Sequence, residues 1–170
     1  MFENHNKIML IGNSDSNVAD EGKLHVTLHH NYFHNVVQRT PRVRFGQIHM
    51  YNNYFASDTT NGKYAYAYSL GVGKNSQIYA ENNVADIAGK DYTSFVKVFG
   101  GKQLTAVNNM FNRKVIDTFN DTLTPVDWKP ELFTTIDPVN EVKKMFCVMQ
   151  VRMRIRLINK IFTPYMDSIY

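Results

Sequence analysis

Four times along this chain a strand-like run is followed within a few residues by an asparagine and an apolar or aromatic pair. The runs are Val26–Leu28, Ile48–Met50, Ile78–Ala80 and Leu104–Ala106. The motifs that follow are Asn31-Tyr32-Phe33, Asn53-Tyr54-Phe55, Asn83-Val84-Ala85 and Asn109-Met110-Phe111. Their asparagines are spaced by 22, 30 and 26 residues. A unit of that size cannot bury its own inner face. Recurrence at such a period therefore points to coils stacked on one another. Stacking sets like residue over like, so asparagines at a fixed turn can hydrogen-bond along the stack while aromatics pile up inside. Uneven spacing follows if loops on one side vary in length. The repeat predicts a parallel β-helix. On the repeat alone, asparagines marking hairpin turns in an antiparallel sheet remain an alternative.

The rest of the chain is consistent with many short strands and almost no helix. Lys7–Gly12 is a short apolar run closed by glycine, and residues 13–22 are polar and loop-like. Alternation marks strands at His25–His29, Arg42–Phe45 and Gln47–Tyr51. Further strands are expected at Tyr64–Leu70, Ser76–Ala80, Ser94–Phe99 and Gln103–Val107, with a turn at Asp58–Lys63. Asp121–Pro138, with three prolines, reads as an extended loop. At 170 residues the chain suits one domain or part of a larger one. No run approaches the ~18 apolar residues of a membrane span. The first seven residues lack an apolar h-region, so no signal peptide is expected in this chain. A single cysteine, Cys147, excludes an internal disulfide. With 19 Lys+Arg against 15 Asp+Glu, the net charge of +4 permits an acidic partner without selecting one.

Between the first two asparagine motifs lies Arg39-Thr40-Pro41-Arg42-Val43-Arg44. On a strand Arg42 and Arg44 share one face and Val43 takes the other. Pro41 biases Thr40 to an extended shape, which sets Arg39 at a bend feeding the strand. Such a cluster either binds carboxylates or phosphates through its guanidinium forks, or is a charged face solvated or paired elsewhere. His25, His29, His30 and His34, with His49 beyond, invite a metal reading. No cysteine or acidic residue completes a ligand set, and a structural role is favoured. Asp15, Asp20 and Glu21 could hold a cation or form a solvated loop.

These residues carry a specific resemblance. His29–Phe33, Arg39–Gly46 and His49–Tyr54, with Lys7–Ser16 before them, resemble the core signature of the family 1 pectate lyases in order and spacing. The likeness runs from about Phe2 to Lys143. It implies an all-β fold, the right-handed parallel β-helix with an asparagine ladder. It also implies calcium-dependent β-elimination of polygalacturonate, giving 4,5-unsaturated oligogalacturonates. By position, Arg39 matches the base that takes the C5 proton. Arg44 and Lys7 match residues that bind substrate carboxylates, and Arg42 carries no role across. Arginine in water holds its proton to above about pH 12, so such a base needs cationic neighbours, and alkaline pH is expected to suit the reaction. The resemblance further implies secretion and a monomer with pectate as partner, with neither nucleic acid nor membrane.

Two departures accompany the likeness. The family's calcium-binding aspartates precede the segment that Lys7 begins, so no metal ligand is assigned here and an N-terminally truncated β-helix with little turnover is expected. Up to Val142-Lys143 the sequence reads like the family, whereas Met145–Arg154 does not. Back-translated and read from the third base of each codon, that segment admits a run ending in asparagine, alanine and glycine, close to the tail of family members. The expectation is a frameshift near Lys144, in the gene or its sequencing. It would leave a partial pectate lyase domain at 1–143 and a non-family tail at 144–170. An unambiguous in-frame read of those codons overturns it. The rival functions are a non-catalytic β-helix that binds acidic polysaccharide and a basic nucleic-acid-binding module.

Overall fold

The computed structural model describes residues 1–58, 62–131 and 133–148. Fourteen strands follow in order: β1 (Phe2–Lys7), β2 (Leu10–Ile11), β3 (His25–His29), β4 (Tyr32–Gln38), β5 (Arg42–Val43), β6 (Gln47–Tyr51), β7 (Tyr54–Ser57), β8 (Leu70–Gly73), β9 (Gln77–Glu81), β10 (Val84–Ile87), β11 (Val96–Phe99), β12 (Gln103–Val107), β13 (Asn109–Phe111) and β14 (Lys114–Ile116). They sort into three sheets: β1-β4-β7-β10-β13-β14, β2-β5-β8-β11, and β3-β6-β9-β12. Each sheet takes every third strand, which is the connectivity of a coil, and all pairings are parallel until β13 meets β14 antiparallel. The fold is the parallel β-helix expected from the repeat, so the asparagines do not mark hairpin turns.

Register explains why the coils stack. Val26, Ile48, Ile78 and Leu104 pair in one column, and Leu28, Met50, Ala80 and Ala106 in the next. Val43 pairs with Val72 and with Ile11. Val43, Ile48, Val72 and Ile78 are fully buried. Phe33 stacks on Phe55 with ring centroids 4.9 Å apart, and Phe2 on Phe33 at 5.2 Å. Each such side chain contributes roughly 1.5–3 kcal/mol by leaving water.

The asparagines form the predicted ladder. Asn53 Oδ1 accepts from the backbone N–H of Asn31 at 3.0 Å and from its Nδ2 at 3.1 Å. Asn83 serves Asn53 in the same way, at 3.0 and 2.9 Å, and Asn109 serves Asn83, at 3.1 and 3.0 Å. The Nδ2 groups of Asn53, Asn83 and Asn109 also donate to the carbonyls of Leu28, Met50 and Ala80. The turn's otherwise unpaired backbone groups are thereby satisfied inside the protein.

A second column runs beside the first. His30, Asn52, Asn82 and Asn108 all adopt positive φ, between 48° and 51°. Asparagine tolerates that left-handed backbone better than most residues. Here the chain turns from one sheet to the next. The segment expected as an extended loop straps down this corner. Val126 N–H donates to Thr105 Oγ1, Trp128 lies against Tyr79, and Tyr51 Oη meets Thr134 Oγ1 at 3.1 Å. Asp137 then closes on the column. Its carbonyl accepts from Asn52 and Asn82 Nδ2 at 2.8 and 3.0 Å, its N–H donates to Asn52 Oδ1, and its carboxylate accepts from His30 Nε2 at 2.8 Å.

A helix at 139–148, α1, follows the strap. Val139, Val142 and Phe146 are buried against Tyr32, Tyr54 and Val84 on the outside of the β4-β7-β10 sheet. α1 runs across the expected 143/144 boundary, and Phe146 packs on the solenoid. The remainder of the expected tail lies outside the described residues. Among those described, no helix is long and apolar enough to cross a membrane.

Three expectations shift. The strand expected at Tyr64–Leu70 falls instead at Leu70–Gly73, after a 3-10 turn at Gly62–Tyr64. Tyr66 and Tyr68 are buried without being strand. A 3-10 turn at Tyr92–Phe95 replaces the first part of the Ser94–Phe99 strand. Phe45 has φ 57°, so β5 ends at Val43.

Candidate functional site

Arg39 follows directly on β4, where the chain leaves one sheet for the next. It takes a left-handed backbone, φ 64°. Its carbonyl accepts from Met9 N–H at 2.9 Å, and the next residue, Thr40, is buried with its N–H donating to the Ser69 carbonyl at 2.8 Å. The bend is therefore fixed on both sides by neighbouring coils. Lys7, at the end of β1, pairs in register with Gln38. That sets Lys7 one strand spacing, about 4.8 Å, from the residue before Arg39. Arg39 Nε is buried without a hydrogen-bond partner. Among the described residues no carboxylate pairs with Arg39 or Lys7.

Arg44 lies beyond β5 and on the same outward face as Arg42, with Val43 turned into the core, as alternation predicts. Its Nε donates to Asp15 Oδ1 at 2.5 Å and its Nη1 to the Asn13 carbonyl at 3.4 Å. The Arg44 side chain is 13% exposed and that of Asp15 57%, so Asp15 is the solvent-facing member. Any incoming anion at Arg44 would share the guanidinium with Asp15 or displace it. Arg42 is held differently: its Cζ sits 4.1 Å from the Phe99 ring centroid.

Glycines make this face possible. A Cβ on Gly73 would lie 2.2 Å from the Val43 carbonyl oxygen, and one on Gly71 would meet Arg42 Cγ at 2.9 Å. Gly12, at φ 87°, has the Arg44 carbonyl oxygen where its Cβ would point, at 2.4 Å. These glycines and the Asp15 contact escaped sequence reading. The available signal was the Gly-Val-Gly alternation at 71–73, which puts two missing side chains on one face of a strand.

The histidines lie away from this corner. His34 contacts Glu3 at 2.7 Å, His49 contacts Glu81 at 2.7 Å, and His30 holds Asp137. His29 stacks on Tyr51, 4.9 Å between centroids, and its imidazole is held below its ordinary value of 6.5, first by burial and then by His30 and His49. The acidic loop is divided among separate tasks: Asp15 on Arg44, Asp20 accepting from Asn13 N–H, and Glu21 accepting from Asn75 Nδ2. Among the described residues no three His, Cys, Asp or Glu side chains converge as a metal site. A calcium ion needs several converging oxygens, and these residues do not fit one.

The sequence pattern that defines pectate lyases matches residues 1–137, which take in Lys7, Arg39, Arg44 and both turn columns. The chain belongs to the pectate lyase family. It is 43% identical over 145 residues to a pectate lyase of Bacillus subtilis, covering 84% of this chain and 34% of that protein. A solved pectate lyase bound to a hexasaccharide superposes with a TM-score of 0.80 at 42% identity, covering 84% of this chain and 36% of that one. A further pectate lyase, described by its anti β-elimination mechanism, superposes equally, with a TM-score of 0.80, 42% identity and coverage of 84% and 36%. The chain spans about a third of the length of the pectate lyases it matches.

Proposed function

We propose that this stretch is the base-bearing part of a pectate lyase cleft that acts on polygalacturonate by β-elimination. In that reading the Arg39 side chain takes the C5 proton of a galacturonate. The electron pair of the C5–H bond forms the C4–C5 double bond, the C4–O bond to the neighbouring sugar breaks with its pair on oxygen, and that oxygen takes a proton from solvent to end as a hydroxyl. Arg44 and Lys7 bind substrate carboxylates and stabilise the charge that develops next to C5. Calcium is expected from the family, yet finds no ligand set among the described residues, and no step here passes through it. The observation that carries the reading is the Arg39 corner. A guanidinium with no carboxylate partner among the described residues sits at a backbone bend that neighbouring coils hold, and Lys7, which likewise has none among them, pairs in register with the residue before Arg39. A polymer too large to enter a cell also argues for action outside it.

The test is incubation with polygalacturonate and calcium at alkaline pH, following ultraviolet absorbance of the unsaturated product. Little product is expected from this chain, and Arg39→Ala should abolish whatever forms. An unchanged rate in that variant would sink the assignment of the base. The absence of a converging cation site among the described residues favours a second reading, a non-catalytic β-helix that binds acidic polysaccharide. Pectate binding with no product in any condition selects it.

A further inference from the structure

The outward face of the β2-β5-β8-β11 sheet continues past Arg44. Arg42 pairs in register with Gly71, and Gly71 with Lys97. Gly73 pairs with Phe99. Two cations thus stand in one column with a glycine between them, and an aromatic closes the adjacent column. The Arg42 side chain crosses the notch that Gly71 leaves and lies over Phe99. Lys97 Nζ sits 5.5 Å from the Phe99 ring centroid and 5.9 Å from that of Tyr68. Tyr68 packs on Phe99 at 5.4 Å between centroids. Its hydroxyl and Arg42 Nε are buried without partners. Among the described residues neither Arg42 nor Lys97 pairs with a carboxylate. Aromatic faces, rather than counter-ions, hold both charges, so neither is neutralised. Lys97 itself is exposed.

We infer that Arg42, Lys97 and Phe99 form a second uronate-carboxylate station, which reaches from β5 to β11, two coils along the helix axis. The inference rests on the proposed pectate cleft and extends it. Strand spacing puts Lys97 about 10 Å from Arg42 at the backbone. A single uronate docked at Arg44 and Arg39 does not span that distance, whereas an oligomer lying along the helix axis does. Arg42 lines the floor and Lys97 the rim, with the Phe99 ring holding the two in place. The ligand class is a linear polyuronate of more than a few residues. The track gives Arg42, which the resemblance left without a role, a part in length preference rather than in chemistry. Charge complementarity selects a polyanion, and continuity of this face with the proposed pectate cleft at Arg44 favours a polyuronate over nucleic acid.

The experiment is calorimetric titration of the full chain with digalacturonate and with hexagalacturonate, at low and at moderate salt. Lys97→Ala is expected to weaken hexagalacturonate binding about tenfold and leave digalacturonate unchanged. Phe99→Leu keeps an apolar packing residue but removes the π face, and a several-fold loss confined to the hexamer is expected. Arg44→Ala should weaken both ligands. Equal effects of Lys97→Ala on both lengths, or none, overturn the second station while the Arg39–Arg44 site stands. No binding of either oligomer by the unaltered chain overturns both. Tighter binding of single-stranded DNA than of hexagalacturonate, lost in Lys97→Ala, assigns the track to nucleic acid and overturns the polyuronate inference.

Discussion

Replacing Asn83 by alanine removes the middle rung of the asparagine ladder, and the structure sets the size of the loss. Asn83 is 3% exposed. Its oxygen accepts two bonds from Asn53, and its Nδ2 donates to the Met50 carbonyl and to Asn109 Oδ1, each at 3.0 Å. Without it the buried Asn53 backbone N–H has no acceptor, and the Met50 carbonyl loses a donor. Leaving such groups unpaired costs about 1–3 kcal/mol each, so about 3–5 kcal/mol is expected in all. Asn31 is the control. Its oxygen receives no rung from a further asparagine, and its Nδ2 donates only to the His29 carbonyl and Asn53 Oδ1. Asn53 Oδ1 keeps the Asn31 N–H in an Asn31→Ala variant, so that change should cost about 1 kcal/mol. Urea unfolding followed by far-ultraviolet circular dichroism measures both, with the slope unchanged and the midpoint moved. Equal costs at the two positions, or a loss below about 1 kcal/mol for Asn83→Ala, would refute the view that the ladder works by satisfying buried turn groups.

Gly73→Ala should destabilise the solenoid by about 1–3 kcal/mol and weaken oligogalacturonate binding, because the new methyl meets the Val43 carbonyl and moves Arg44; thermal melts and calorimetry check the two effects together. Phe146→Ala should cost about 2–4 kcal/mol by opening the packing on Tyr32 and Tyr54; a variant as stable as the parent in urea would show that α1 adds nothing beyond residue 143. Stability should fall as pH drops through and beneath 6.5, since the unfolded chain protonates His29 before the folded one does. A His29→Gln variant should show a shallower decline in melting temperature over that window, and an identical decline counts against the assignment.

The coils were legible because their asparagines and apolar columns recur in the sequence. Val26, Ile48, Ile78 and Leu104, picked out as matching runs, occupy one register. The second turn column was written there too, in the doublets Asn52-Asn53, Asn82-Asn83 and Asn108-Asn109, but its left-handed backbone has no period of its own to reveal it. β1 was hidden for a different reason. Glu3, Asn4, His5, Asn6 and Lys7 are polar and exposed, and it is pairing with β4 that makes them strand. β8 was displaced because its outward positions are glycines, which weaken the local signal while making room for arginines. Arg39 and Arg44 were readable as a cluster. What engages each of them was not, because Asp15 at Arg44 and the Met9 and Ser69 backbone groups that hold the Arg39 bend come from other parts of the chain.

The strap has a consequence for how this solenoid comes apart. Stacked repeats with only neighbour contacts melt like a one-dimensional chain, fraying from either end. Here Val126, Thr134 and Asp137 touch coils from the last described to the first through hydrogen bonds that span from 21 to 107 residues in sequence, and Trp128 packs on Tyr79 between them. Loss of the first coil therefore releases Asp137 from His30, and loss of the last releases Val126 from Thr105. The first and last described coils are coupled through a segment that follows the described strands. During synthesis the coils emerge unbuckled, and the stack becomes a single cooperative body only when residues 126–137 leave the ribosome and fasten it.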